Sequence, residues 1–211
     1  MEKTKFTEEQ SLELITSMIK DSRKRLAQNS GTPFLVWGYI TVAVSIFEYF
    51  VMAQQWPYGW TWMWFAIPIL GWPAMMFAIR NQEKGAKNHI DRTISAMWWV
   101  LGLSTIFVYL IAAAYKASLF SLIVLLMGIG TLITGIILRE KSTKWCGALA
   151  MAASAIFPLR HFYIYKAEIM GSNNVEAAIA YLSTEILIFA AIFFVMMVVP
   201  GHILNYKTRK R

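Results

Sequence analysis

Six apolar stretches, most of them close to the length of a hydrocarbon layer, alternate with turns in which positive charge is by turns plentiful and scarce. That pattern limits the chain more than any single motif does. A bilayer core about 30 Å thick takes about 20 helical residues to cross. A chain in lipid must also satisfy its backbone N–H and C=O groups internally, which helices do within themselves. The expected architecture is therefore all-α: a polytopic membrane bundle of six transmembrane helices, spanning about residues 33–53, 60–79, 93–115, 119–138, 145–159 and 177–204. Hydrophobic residues make up 57% and charged residues only 15% of the chain, against about 25% charged in soluble domains.

The basic residues give the threading. Of the 20 lysines and arginines, only Lys116, Arg160 and Lys166 fall on one side of the predicted bundle. The rest gather in the N-terminal segment, in 80–92, in 139–144 and after Tyr206. Cytoplasmic loops are enriched in Lys and Arg, so both termini are expected in the cytoplasm, and an even number of spans is the economical solution. Trp37, Tyr39, Trp56, Tyr58, Trp60, Trp62, Tyr115, Trp145 and Tyr206 lie near span ends, as interfacial anchors do. The net charge of +8 is accounted for by these loops, and no nucleic-acid partner is expected.

Residues 1–31 read as a separate cytoplasmic N-terminal element. Thr7 and Gln10 form a capping box, and Leu12, Ile15, Met18, Ile19 and Leu26 recur at helical spacing opposite Glu9, Glu13, Lys20, Asp21 and Lys24. Such a helix suits the headgroup layer. Its heptad register lasts only about two repeats, fewer than a coiled coil needs. Asn29–Gly31 should end it, and Thr32–Pro33 is a good N-cap and first-turn pair for the first span. The six-helix domain then covers 32–205, with a basic tail over 206–211. Pro68 and Pro73 should kink the second span. Pro158 shortens the fifth, and the sixth is long enough to tilt or protrude.

Ionisable groups inside spans are costly and mark sites or structural pairs. Glu48 and Glu185 fall at similar depth near the outer side, with Arg160 and His161 at the same level. This outer-leaflet polar cluster is the expected ligand-binding site, for a cation, an amine or a proton. The competing structural reading is an ion pair such as Glu185 with Arg160. On the cytoplasmic side, His89, Asp91, Arg92 and His202 form a second cluster. Asp91 reads as a helix cap, and His202 is placed to pair with it. Gly128, Gly130 and Gly135, with Gly147 and the alanines around it, allow close helix contact.

Catalytic and metal signatures are weak. Cys146 is the only cysteine, so no intrachain disulfide can form. The sequence carries no nucleophile elbow, phosphate loop, HExxH or CxxC. No metal, haem or other cofactor is expected, and the 12 methionines read as packing. A lipid-processing site on Glu48, Glu185 and His161 is the one enzymatic alternative.

The stretch Asn-Ser-Gly-Thr-Pro-Phe-Leu-Val-Trp-Gly-Tyr at 29–39, Ile90-Asp91-Arg92, and Pro200-Gly201-His202-Ile203-Leu204-Asn205 together resemble a family of small six-span bacterial inner-membrane proteins of unassigned function. The resemblance implies a multi-pass protein of the bacterial cytoplasmic membrane and supplies no catalytic residue. A weaker likeness, to ABC-2-type permease subunits, rests on the N-terminal helix and the excursion at 159–176. The leading expectation is a non-enzymatic membrane protein that binds or passes a small ligand, ion or lipid from the outer side. The alternatives are a regulatory or sensor scaffold acting through the N-terminal helix, and an exporter subunit. The partners implied are the bilayer, with a second copy of the chain and a cytoplasmic protein left open.

Overall fold

The computed structural model describes residues 8–80, 89–115, 119–164 and 175–209, and the side chains of 18–30, His89 and Asp91 are among those outside the description. Among the described residues the chain is helical throughout, without strands. Helix α1 runs Glu8–Ala53. A 3₁₀ segment at Tyr58–Phe65 leads into α2, Ala66–Arg80. Then come α3, His89–Tyr115; α4, Leu119–Leu138; α5, Lys141–Ala153; and α6, Ile156–Arg160. Helix α7, Val175–Phe193, passes through a π-helical turn at Phe194–Val198 into α8, Val199–Arg209.

Four stretches are long and apolar enough to cross a bilayer: Gly31–Ala53, Arg92–Ala112, Leu119–Leu138 and Val175–Lys207. The second and fifth apolar stretches are built differently from the regular spans expected, and proline chemistry explains both. A proline lacks an N–H and crowds the carbonyl four residues back. Pro68 is accommodated by restarting the helix at Ala66, which leaves it in a first turn whose donors have no helical partner anyway. The preceding residues wind as the tighter 3₁₀ form. Pro158 would have bonded Ser154 C=O, and there the helix breaks, at Ser154–Ala155. The freed carbonyl is not left bare: the Ser121 hydroxyl donates to it from α4 at 2.9 Å. Pro200 likewise frees Met196 C=O, and the π-helical turn lies immediately before it.

Where two helices meeting at Asn29–Gly31 were expected, there is one. Pro33 sits inside α1 without ending it. It removes a single hydrogen bond from a helix of 46 residues, while Gly31 and Phe34 on either side of it are buried. Helices α1 and α4 both end in Schellman turns. Gln55 (φ 53) and Arg139 (φ 57) take the left-handed position, and Trp56 N–H to Val51 O and Glu140 N–H to Gly135 O, each 3.0 Å, close the loops.

The core is Phe34, Val124, Ala150, Phe157, Phe189, Phe193, Met196, Met197 and Leu204. Helix α1 lies antiparallel along α7 and α8, in a register its glycines record. A Cβ on Gly38 would fall 2.9 Å from Val198 Cγ2 and 3.0 Å from Met197 Cβ, and Gly31 is pressed against Gly201 and Asn205. Helix α3 packs chiefly on α4, and Trp99, Leu103, Ile106, Phe107 and Leu110 are among its exposed side chains. Apolar surface on that scale belongs against lipid.

Candidate functional site

The buried face of α1 reads Phe34, Gly38, Thr41, Ser45, Glu48, steps of three and four that form one stripe. Small and hydroxyl residues let α7 and α8 approach closely. Counting outward from Gly38 opposite Met197 and Val198, ten residues along each antiparallel helix set Glu48 level with Leu187 and Ile188. Glu185 is therefore within one turn of Glu48 in depth. Both lie near the Ala53 end of α1, Glu48 being about 8 Å below it at 1.5 Å per residue.

The two carboxylates have different surroundings. Glu185 is 4% exposed, and Arg160 Nε donates to its Oε1 at 3.0 Å. Tyr181, one turn earlier on α7, hydrogen-bonds the same carboxylate, and its ring lies 5.4 Å from the Arg160 guanidinium carbon. Glu185 thus has a cation and a phenol. Glu48 is 2% exposed, and among the described residues its Oε1 has no hydrogen-bond partner. The Ser45 hydroxyl, one turn away, does not supply one, because it donates to Thr41 O at 2.7 Å.

Inward of this pair the rings of four elements meet. Trp64 of the 3₁₀ segment lies 5.7 Å from Phe120 of α4 and 5.9 Å from Phe189 of α7. Phe120 also reaches Phe157 of α6 at 5.9 Å. Phe189 is one turn after Glu185 on α7, on the α8 side of that carboxylate.

Of the predicted outer cluster, Glu185 and Arg160 pair directly, Glu48 shares their depth, and His161 is exposed just beyond Arg160. The second predicted cluster is differently arranged. His202 and Tyr39 share a hydrogen bond of 2.6 Å, Nε2 to Oη, which ties α8 to α1; the pairing expected with Asp91 falls on a side chain outside the described residues. His89 and Asp91 have side chains outside the description, and Arg92 is exposed. Nearby, Lys207 pairs with Glu140 and ties α8 to the start of α5. Sequence reasoning did not single out Thr131 and Thr143, whose Oγ1 atoms are buried without partners among the described residues. Thr131 lies between Gly128 and Gly135 on one face of α4, so the small-residue pattern could have drawn attention to it. Among the described residues no three His, Cys, Asp or Glu side chains gather as a metal site would require.

The chain matches no protein-family model, no curated protein and no solved structure.

Proposed function

We propose that this chain is a six-span membrane protein that binds a small cationic ligand through Glu48, in the outer half of the bilayer. The supporting observation is the contrast between two buried carboxylates within about one turn in depth: Glu185 already holds Arg160, while among the described residues the Glu48 Oε1 atom has no hydrogen-bond partner. A buried carboxyl oxygen without a partner is expensive, so retaining one beside a satisfied pair makes sense if a cation arrives from outside. The paired Arg160 and Glu185 then brace the α6–α7 side of the site.

In this reading the two stretches interrupted by proline also thread the bilayer. Both termini face the cytoplasm because the basic loops cluster on one side. In a Cys146→Ala background, cysteines placed at Gly59 and at Lys84 should respond oppositely in intact cells. A membrane-impermeant maleimide should label the first and spare the second until the membrane is opened. Labelling at position 84 from outside would invert the proposed site.

Glu48→Gln removes the charge and keeps the shape. Across a panel of inorganic and organic monovalent cations, the native protein in detergent should show a rise in melting temperature with at least one, and Glu48→Gln should abolish that rise. The variant's melting point without ligand should equal or exceed the native value, since an unpaired buried charge has gone. Ligand responses unchanged by the substitution would discard the site.

A further inference from the structure

We propose that the turn between α4 and α5 carries a second binding site, for the phosphate group of an anionic phospholipid, held by Arg139 and Lys141 with Trp145 beside them. The residues involved are separate from Glu48. Only the assignment of this site to the cytoplasmic leaflet rests on the threading proposed above.

The first observation is charge left unmatched. Arg139, Glu140 and Lys141 are consecutive, but Glu140 is bonded to Lys207 of α8. Arg139 and Lys141 are both exposed, and the ion pairs among the described residues, Arg160–Glu185 and Lys207–Glu140, include neither. Two steps apart in the chain, their Cα atoms stand no more than about 7 Å from each other. Two cations that close, with the intervening acid engaged elsewhere, suit an anion with several oxygens, and the arginine fork matches phosphate geometry.

The second lies in the backbone. Arg139 has φ 57, a left-handed position that glycine takes without strain. Helix α4 could end there on glycine, the usual residue of such a turn. An arginine holds a guanidinium at the turn at a cost to the fold, and strain of that kind is kept where a side chain is used.

The third is the order of chemistry along α5. Lys141, Trp145 and Leu149 recur at a spacing of four and so share one face. Trp145 is 69% and Leu149 57% exposed. From the turn inward that face reads cation, indole, aliphatic chain, at about 6 Å per step. A phospholipid presents the matching order of phosphate, ester carbonyls and acyl chain, and an interfacial indole N–H donates to the polar groups of that layer. A free phosphate ion would use only the first of the three.

Melting the full chain in a neutral maltoside detergent, while dioleoyl phosphatidylglycerol is titrated in, tests this. The melting temperature should rise with phosphatidylglycerol, and not with dioleoyl phosphatidylcholine or inorganic phosphate. Arg139→Gly and Lys141→Gln should each raise the phosphatidylglycerol concentration for half the rise by about fivefold, the factor that goes with one cation near an anionic lipid surface. Trp145→Leu should raise it by less. Without lipid, Arg139→Gly should melt at or above the native temperature, which a merely structural arginine would not allow. Arg80→Gln removes another exposed cation, at the end of α2, and should leave the response unchanged. If Arg139→Gly fails to fold, Lys141→Gln and Trp145→Leu decide in its place. An equal rise with phosphatidylcholine overturns the site, as does a response that Arg80→Gln weakens as much as Lys141→Gln. Inorganic phosphate reproducing the whole effect removes the lipid from the proposal. Should the response survive both Arg139→Gly and Lys141→Gln, the site is lost and the reading of Glu48 is untouched.

Discussion

Arg160→Leu is expected to cost the folded bundle about 3 kcal/mol, the lower end of the roughly 3–5 kcal/mol seen when one member of a buried ion pair is removed. The lower end applies because the Arg160 side chain is 23% exposed whereas that of Glu185 is 5% exposed. Leucine leaves a buried carboxylate with the Tyr181 hydroxyl and the neighbouring His161 in place of a bonded cation, and water reaches it poorly. The double variant Arg160→Leu, Glu185→Leu should regain most of the loss, since an apolar pair of similar volume often matches a buried ion pair. Arg160→Lys should be intermediate, keeping the charge but losing the planar group over Tyr181. Chemical denaturation in micelles gives the comparison. If Arg160→Leu unfolds at the native midpoint, the pair contributes nothing to holding α6 on α7, and Glu185 becomes as plausible a ligand group as Glu48.

The helical class and most apolar stretches could be read from the sequence because they depend on local quantities: hydrophobic length, proline position and loop charge. The relation between Arg160 and Glu185 could be read for a related reason. Both are ionisable groups at matching distances from span ends, and the cost of charge in an apolar medium leaves few arrangements open. What separates Glu48 from Glu185 is not local. It depends on the rotation of α1 about its own axis, which is fixed by Gly31 and Gly38 packing against α8 and the π-helical turn. Nothing in the residues around Glu48 declares that rotation.

The local signature at the α1 junction was overruled by packing. Thr32–Pro33 has the local signature of a helix start, yet α1 continues through it, because the packing of Gly31 and Phe34 outweighs one lost hydrogen bond. His202 was expected to pair with Asp91, whose side chain lies outside the described residues. In the fold, Gly201 lies against Leu35, and this brings the adjacent His202 to Tyr39 on α1. Proline effects, in contrast, were half visible. Pro158 announced a shortened span, but that Ser121 would cap Ser154 and that a π-helical turn would precede Pro200 required the tertiary neighbours.

Gly147→Val should be the most damaging small substitution in the chain. Helices α4 and α5 meet backbone to backbone along Gly128, Gly135 and Gly147. A Cβ at Gly147 would overlap the Leu132 backbone nitrogen and stand 2.8 Å from its Cα, and one at Gly135 would fall 2.6 Å from Lys144 N. These neighbours are main-chain atoms of a regular helix and cannot rotate aside, so the hairpin must open along its length. Overpacking commonly costs about 1–3 kcal/mol where side chains can yield; against backbone the expected loss exceeds that range, and Gly147→Val should elute as aggregate on size exclusion. Gly147→Ala should fold with a lowered melting temperature. Gly102 supplies the control. It too is a helical glycine in an apolar span, but a Cβ there meets nothing within 4 Å, so Gly102→Ala should be neutral or stabilising by up to about 1 kcal/mol. If Gly147→Val and Gly102→Ala melt alike, α4 and α5 are not in backbone contact. Thr131 would then lose the close seam that buries its hydroxyl, and Ser121 its route to the carbonyl that Pro158 frees.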